Sequence, residues 1–204
     1  MKIAIIDYGM GNIHSVAKAI QLCGAEPVIT NQPDQISLAD KIILPGVGAF
    51  DEAMLELNKL GLVSVIQEKI SSKKPFLGIC LGMQLLLETS QEAKNNKGLG
   101  IFKGQVVKFN VASGLKIPHM GWNDCKVVNR DCLLLNGLSG NQQVYFCHSY
   151  YPDPSDKSVI AASCDYGVEF GCVLACDNVY GVQFHPEKSQ GTGLKIIRNF
   201  VELC

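Results

Sequence analysis

The strongest constraint on the fold lies in the first half of the chain, where short, largely apolar runs alternate with amphipathic stretches. Ile3–Ile6, Pro27–Ile29, Lys41–Leu44 and Phe76–Ile79 are too short for helices and show no polar face, as expected of strands buried on both sides. Between the last two, Phe50, Ala53, Met54, Leu57 and Leu60 recur at helical spacing. A further helix is expected after Gly82, with Met83, Leu86 and Leu87 turned inward. Strands that alternate with helices need crossover connections, so this rhythm predicts a parallel sheet covered by helices.

The second half is richer in strands, with candidates at Gln105–Phe109, Val144–Cys147, Val159–Ser163, Phe170–Ala175 and Val179–Phe184. A last helix carries Leu194, Ile197, Phe200 and Val201 on one side. Asn95–Gly98 and Pro152–Asp156 read as surface loops, since Asn, Asp, Gly and Pro cluster there. No repeat or linker divides the 204 residues, so a single α/β domain over 1–204 is expected, with an added antiparallel portion.

Composition excludes several classes. Hydrophobic residues make up 47% and charged residues 18%, the balance of a globular chain rather than a disordered one. A net charge of -1 with no block of like charges argues against nucleic acid or an anionic membrane as partner. No apolar stretch approaches the ~20 residues that span a bilayer. The run at Ile3–Ile6 is short and is stopped by Asp7, which fits the first strand of a cytoplasmic protein and not a signal peptide. The nine cysteines are odd in number and irregularly spaced, with no C-x-x-C pair, so neither a disulfide framework nor a zinc site is expected. No metal or other cofactor is called for.

Three segments carry chemistry. In Pro75-Phe-Leu-Gly-Ile-Cys80-Leu-Gly-Met-Gln84 an apolar strand runs through G-x-C-x-G toward a helix, the pattern of a nucleophile elbow with cysteine in place of serine. A helix N-terminus beneath Cys80 favours a thiolate, and the Leu81 N–H points where an oxyanion would form. The segment would equally suit a buried cysteine between packing glycines. In Gly181-Val-Gln-Phe-His185-Pro-Glu187-Lys-Ser189 a strand ends at His-Pro-Glu. Residues i and i+2 of an extended segment face the same way, so Glu187 can hold one ring nitrogen of His185 and leave the other for a thiol. In Leu44-Pro-Gly-Val47-Gly48-Ala49 two glycines flank Val47, making its N–H a candidate second oxyanion donor and its peptide a candidate switch.

Together these segments resemble the class I, or triad, glutamine amidotransferases, and the resemblance covers essentially the whole chain. It implies a flavodoxin-like, mostly parallel sheet flanked by helices, and a Cys80–His185–Glu187 triad. It further implies glutamine held by the Gly48 backbone, Gln84, Glu92, Ser149 and Tyr150. Asp7–Asn12, Pro118–Asn123 and Tyr145–Tyr150 are similar to a branch of that family in histidine biosynthesis. There a glutaminase subunit releases ammonia into a partner, a (β/α)8-barrel cyclase subunit, as a heterodimer. On that resemblance Asn12, Met120, Trp122, Asn123, Tyr145 and Lys188 are expected at the partner interface. His119 and Trp122 fit either partner docking or a satellite core cluster. His148 is read as positioning Ser149 and Tyr150 rather than as a second base. Two other readings stand at this point: ammonia supply to a sugar-modifying synthase, and a non-catalytic partner-binding module on the same fold.

Overall fold

The computed structural model describes residues 1–110 and 114–204. Its organising element is a nine-stranded sheet. Five strands are parallel: β1 (Lys2–Ile6), β2 (Glu26–Thr30), β3 (Lys41–Gly46), β4 (Phe76–Cys80) and β12 (Val179–Val182), in the order β2-β1-β3-β4-β12. This is the flavodoxin-like order, in which ligands collect beyond the carboxyl ends of the strands. Four antiparallel strands extend it in the order β11 (Glu169–Cys176), β10 (Ile160–Asp165), β7 (His119–Val127) and β8 (Asn141–His148). A smaller sheet joins β5 (Leu87–Ser90), β6 (Phe102–Lys108) and β9 (Tyr150–Pro154).

Alternation along the strands builds two cores. Ile3, Ile5 and Ile43 face α1 (Ile13–Leu22) and α6 (Gln190–Glu202), while Ala4, Ile6, Ile42 and Leu44 face α2 (Pro33–Leu38), α3 (Phe50–Lys59) and α4 (Leu62–Ser71). At roughly 1.5–3 kcal/mol per fully buried aliphatic side chain, these two faces supply most of the driving force. Lys41 is a buried exception: its ammonium reaches the Phe200 and Val201 carbonyls at 2.8 and 2.9 Å, tying the end of α6 to the sheet.

Two expectations need correction. The helix after Gly82 is the single turn α5 (Leu81–Gln84), and β5 begins at Leu87. The carbonyls that would have continued the helix are taken from outside: Leu85 accepts from Leu99, Leu86 from Ile101 and Phe102, Leu87 from Gly100. Met83, Leu86 and Leu87 are nevertheless fully buried. Pro152–Pro154 is strand, not loop; β9 is an edge strand, where a proline without an N–H can be accommodated.

Candidate active site

The carboxyl ends of β3, β4 and β12 converge. Gly46 lies beside Cys80 in register, and Pro45, Ile79 and Val182 form the row behind. Cys80 stands between strand and turn at φ 55°, ψ −111°, a strained geometry that costs ~1–3 kcal/mol and lifts the side chain off the end of β4. The strain is possible because α5 sits almost on the sheet. A Cβ on Gly82 would lie 1.9 Å from the Leu44 carbonyl oxygen. Leu81 opens α5, so its N–H has no partner within the helix and is free for a ligand. One turn offers less dipole to a thiolate than the helix through Leu87 expected from sequence.

The loop after β3 runs alongside. Val47 is exposed, and Gly48 has φ +97° with Met10 Cε 2.7 Å from where a Cβ would be. Only glycine suits that position. Beneath it the buried Tyr8 hydroxyl donates to the Pro45 carbonyl at 3.0 Å, pinning the root of the loop. Burial, and then the charge of nearby Cys80, push the Tyr8 hydroxyl's pKa upward.

His185 follows β12, and its Nδ1–H donates to Glu187 Oε1 at 2.8 Å. The contact is the one read from sequence, but its local geometry differs. Glu187 sits in a 3-10 turn, Pro186–Lys188, not in an extended segment, because proline with its fixed φ starts the turn. Burial of the ring opposes its charged form. Hydrogen bonding and charge from Cys80 and Glu187 outweigh that and raise its pKa to about 10. The site therefore rests with a proton on the ring. The Glu187 side chain is fully buried; its Oε1 also accepts from Asn12 at 3.2 Å, and its Oε2 has no hydrogen-bond partner among the described residues. Such an undiluted carboxylate acts strongly on the ring.

Two positioning groups escaped the sequence reading. Gln183 is wholly buried; its Nε2 lies 3.8 Å from Cys80 Sγ, and its Oε1 accepts from Gln84 at 3.0 Å. A lone polar residue in the apolar run Gly181–Phe184 was the signal available for it. Ser189 closes a ring of bonds, accepting from Tyr145 N at 2.9 Å and donating to the His185 carbonyl at 2.7 Å, while His185 N donates to the Tyr145 carbonyl at 2.9 Å.

Of the residues expected to hold glutamine, Gln84 donates to the Tyr150 carbonyl at 2.9 Å. Glu92 Oε2 accepts from Phe50 N, the first N–H of α3, at 3.0 Å. That bond anchors Glu92 just past the Val47–Gly48 loop and leaves Oε1 for a cation. Asp51 fastens the neighbouring segment by accepting from Lys94 and Asn96 N–H groups at 2.7 and 2.9 Å. Ser149 marks the passage from β8 to β9, partly exposed like Tyr150.

The residues expected at an interface divide. Met120 and Trp122 are exposed on one face of β7; Trp122 pairs across the ladder with Tyr145, edge to face at 6.2 Å, and the Lys188 ammonium lies 5.9 Å from the Tyr145 ring. Asn12 adjoins Glu187. Asn123 belongs to the opposite pleat of β7, where its amide is engaged by His119 and the Asp165 carbonyl, so it does not share the Trp122 surface. His14 is exposed in the first turn of α1, away from these groups. No helix among the described residues is long and apolar enough to cross a membrane.

The family model described as glutamine amidotransferase class-I matches residues 4–204. A protein of Methanococcus maripaludis named imidazole glycerol phosphate synthase subunit HisH 1 is 51% identical over 204 residues, covering 98% of this chain and 99% of its own. The HisH subunit of Methanocaldococcus jannaschii is 50% identical over 201 residues, again with 98% and 99% coverage. Among solved structures, PurLQS from Thermotoga maritima superposes with a TM-score of 0.77 at 20% identity, covering 98% of this chain and 97% of that one.

Proposed function

The chain belongs to the class I glutamine amidotransferases, and from that premise we propose that it is the glutaminase subunit of an imidazole glycerol phosphate synthase in histidine biosynthesis, with Cys80, His185 and Glu187 as its catalytic residues. One observation carries the catalytic assignment: a cysteine in a strained turn, a glycine loop in register beside it, and a histidine bonded to a buried carboxylate, all at the carboxyl ends of β3, β4 and β12.

Cys80 Sγ attacks the side-chain amide carbon of glutamine, and the carbonyl oxygen becomes an oxyanion received by the Leu81 and Val47 N–H groups. Collapse breaks the C–N bond; His185 gives its proton to the departing nitrogen, and ammonia leaves a thioester on Cys80. His185 then takes a proton from water, which attacks the thioester carbon. Glutamate departs as the Cys80 thiolate leaves the carbon, and that proton stays on His185, which restores the resting pair. Glu187 keeps the ring oriented and stabilises its charged form. The Gly48 backbone, Gln84, Glu92, Ser149 and Tyr150 hold the substrate, Glu92 by pairing its free oxygen with the α-ammonium.

Residues 1–204 form one domain in this reading, cytoplasmic, since nine unpaired thiols suit a reducing compartment. Its partner is a (β/α)8-barrel cyclase subunit docked as a heterodimer on the face of Met120, Trp122, Tyr145, Lys188 and Asn12, through which ammonia passes without meeting bulk water. Near 50% identity along the full length to HisH subunits favours this acceptor over a sugar-modifying synthase. The test is glutamate release by the purified chain alone, with the cognate cyclase, and with the cyclase plus its nucleotide ligand. Stimulation by the partner is expected. Full activity of the isolated chain would remove the Val47 peptide as a switch, and inactivity under all three conditions would overturn the enzyme reading.

A further inference from the structure

The hydrogen bonds around Gln84 do not end at the site. His119 and His148 are direct cross-strand partners on the inner pleat of β7 and β8, with His119 Nδ1 3.0 Å from His148 Nε2. His148 Nδ1 lies 2.7 Å from the Tyr150 carbonyl, and Asn123 Nδ2 lies 3.2 Å from His119 Nε2 and 2.9 Å from the Asp165 carbonyl. Both rings are enclosed by aromatics. His119 is stacked between Phe146 at 4.6 Å and Tyr166 at 3.9 Å, and Phe109 lies 5.2 Å from His148. An apolar box of this kind excludes the charged imidazolium, so both rings are neutral.

Neutral rings leave one arrangement of protons. The Tyr150 carbonyl can only accept, so His148 Nδ1 carries its proton and Nε2 accepts. His119 Nδ1 must then donate, and its Nε2 accepts from Asn123, whose Oδ1 is in turn engaged by Asp124 N at 2.8 Å. Each ring nitrogen is used once, and the protons all point in one direction, from Asn123 toward Tyr150. At the other end the Tyr150 carbonyl also receives Gln84, which donates to Gln183, whose amide reaches Cys80. The Tyr150 peptide stands one residue past the point where the chain leaves the large sheet for the small one, and His148 fastens it across that passage.

We propose that Asn123, His119 and His148 are positioning residues of the glutaminase site: through the Tyr150 carbonyl they fix the Gln84 and Gln183 amides, and with them the cradle in which a glutamine side chain meets Cys80. This rests on the glutaminase reading above. Among the described residues the His148 ring bonds to His119 and the Tyr150 carbonyl and not to Cys80 or His185, which separates it from a second base.

The experiment uses the full chain assembled with its cyclase. Correlation of ring protons with ¹⁵N-labelled histidine nitrogens should show His119 and His148 both neutral with the proton on Nδ1. H148F, which keeps a ring but cannot donate, should raise KM for glutamine on the order of tenfold, about what one lost hydrogen bond is worth, with a smaller change in kcat. H148N, whose amide can still donate to the Tyr150 carbonyl, should recover most of it. A proton on Nε2 of either ring, or a folded H148F complex with unchanged KM, would overturn the proposal. An unmodified complex with no glutaminase activity would overturn the underlying reading instead, and the tautomer result would stand apart from it.

Discussion

At the scale of single residues, the chemistry depends on where protons rest. His185 binds its proton more tightly than a free imidazole, because Cys80 and Glu187 outweigh the effect of burial. Glu187→Gln keeps the shape and removes the charge. Glutamate release by the complex should fall by ~10²-fold or more, as when a triad loses its orienting carboxylate. A rate within about twofold of the parent would remove Glu187 from the triad. The three positions proposed as the triad stand out in sequence because each belongs to a short local pattern, a strand running into a glycine turn or into His-Pro-Glu. Gln183 and Ser189 were not, because a polar residue reveals its partners only when distant strands pair: Gln183 meets Gln84, ninety-nine positions away.

At the scale of elements, two contacts decide whether the site keeps its geometry. The first is the landing of α5 on the sheet. Gly82→Ala forces a methyl onto the Leu44 carbonyl, so α5 must lift and carry Leu81 with it. Unfolding by denaturant should show a loss of ~1–3 kcal/mol, the cost of overpacking, together with lost activity. Parental stability would mean that the approach is slack. The second is the β7–β8 pair. Burial lowers the pKa of His119 to about 4. Burial does the same for His148, reinforced by His119 and His185 and opposed by the Tyr150 carbonyl, to about 3. An unfolded chain takes protons on both near pH 6.5, and the folded one does not. The contribution of this pair to stability should therefore be full above about 6.5 and fall as pH drops from there, toward 4 for His119 and toward 3 for His148. His185, raised to about 10, runs the other way: its contribution is complete below about 6.5 and is lost as pH rises through 10. Denaturant midpoints from pH 7.5 to 5 check the acid limb, which H119F should flatten; an equal slope in that variant would contradict it. Neither β7 nor β9 was visible in sequence. β7 holds Gly121, Asn123 and Asp124, poor strand formers that are stabilised by partners on both sides, and β9 holds two prolines that only an edge permits.

At the scale of the whole molecule, the proposed function puts the chemistry on the parallel half of the sheet and the docking face on the antiparallel half. Tyr145 joins them: its backbone pairs with His185 and Ser189, and its ring lies between Trp122 and Lys188. Trp122→Ala should weaken association with the cyclase by ~2 kcal/mol or more, as truncation of a buried aromatic anchor does. Titration of one subunit into the other measures it, and unchanged affinity would place docking on another face. The parallel half was readable from its apolar runs, whereas the partner face came from motif resemblance, since an exposed Met and Trp on a strand carry no periodic signal.

If this chain supplies ammonia through Cys80 and the partner does the rest, the two activities can be separated. The direct measurement is synthesis by the complex carrying Cys80→Ala, run once with glutamine and once with ammonium salt. Turnover with glutamine should vanish, and turnover with ammonium should match the parent complex. Loss of both, or survival of the glutamine reaction, would contradict the claim.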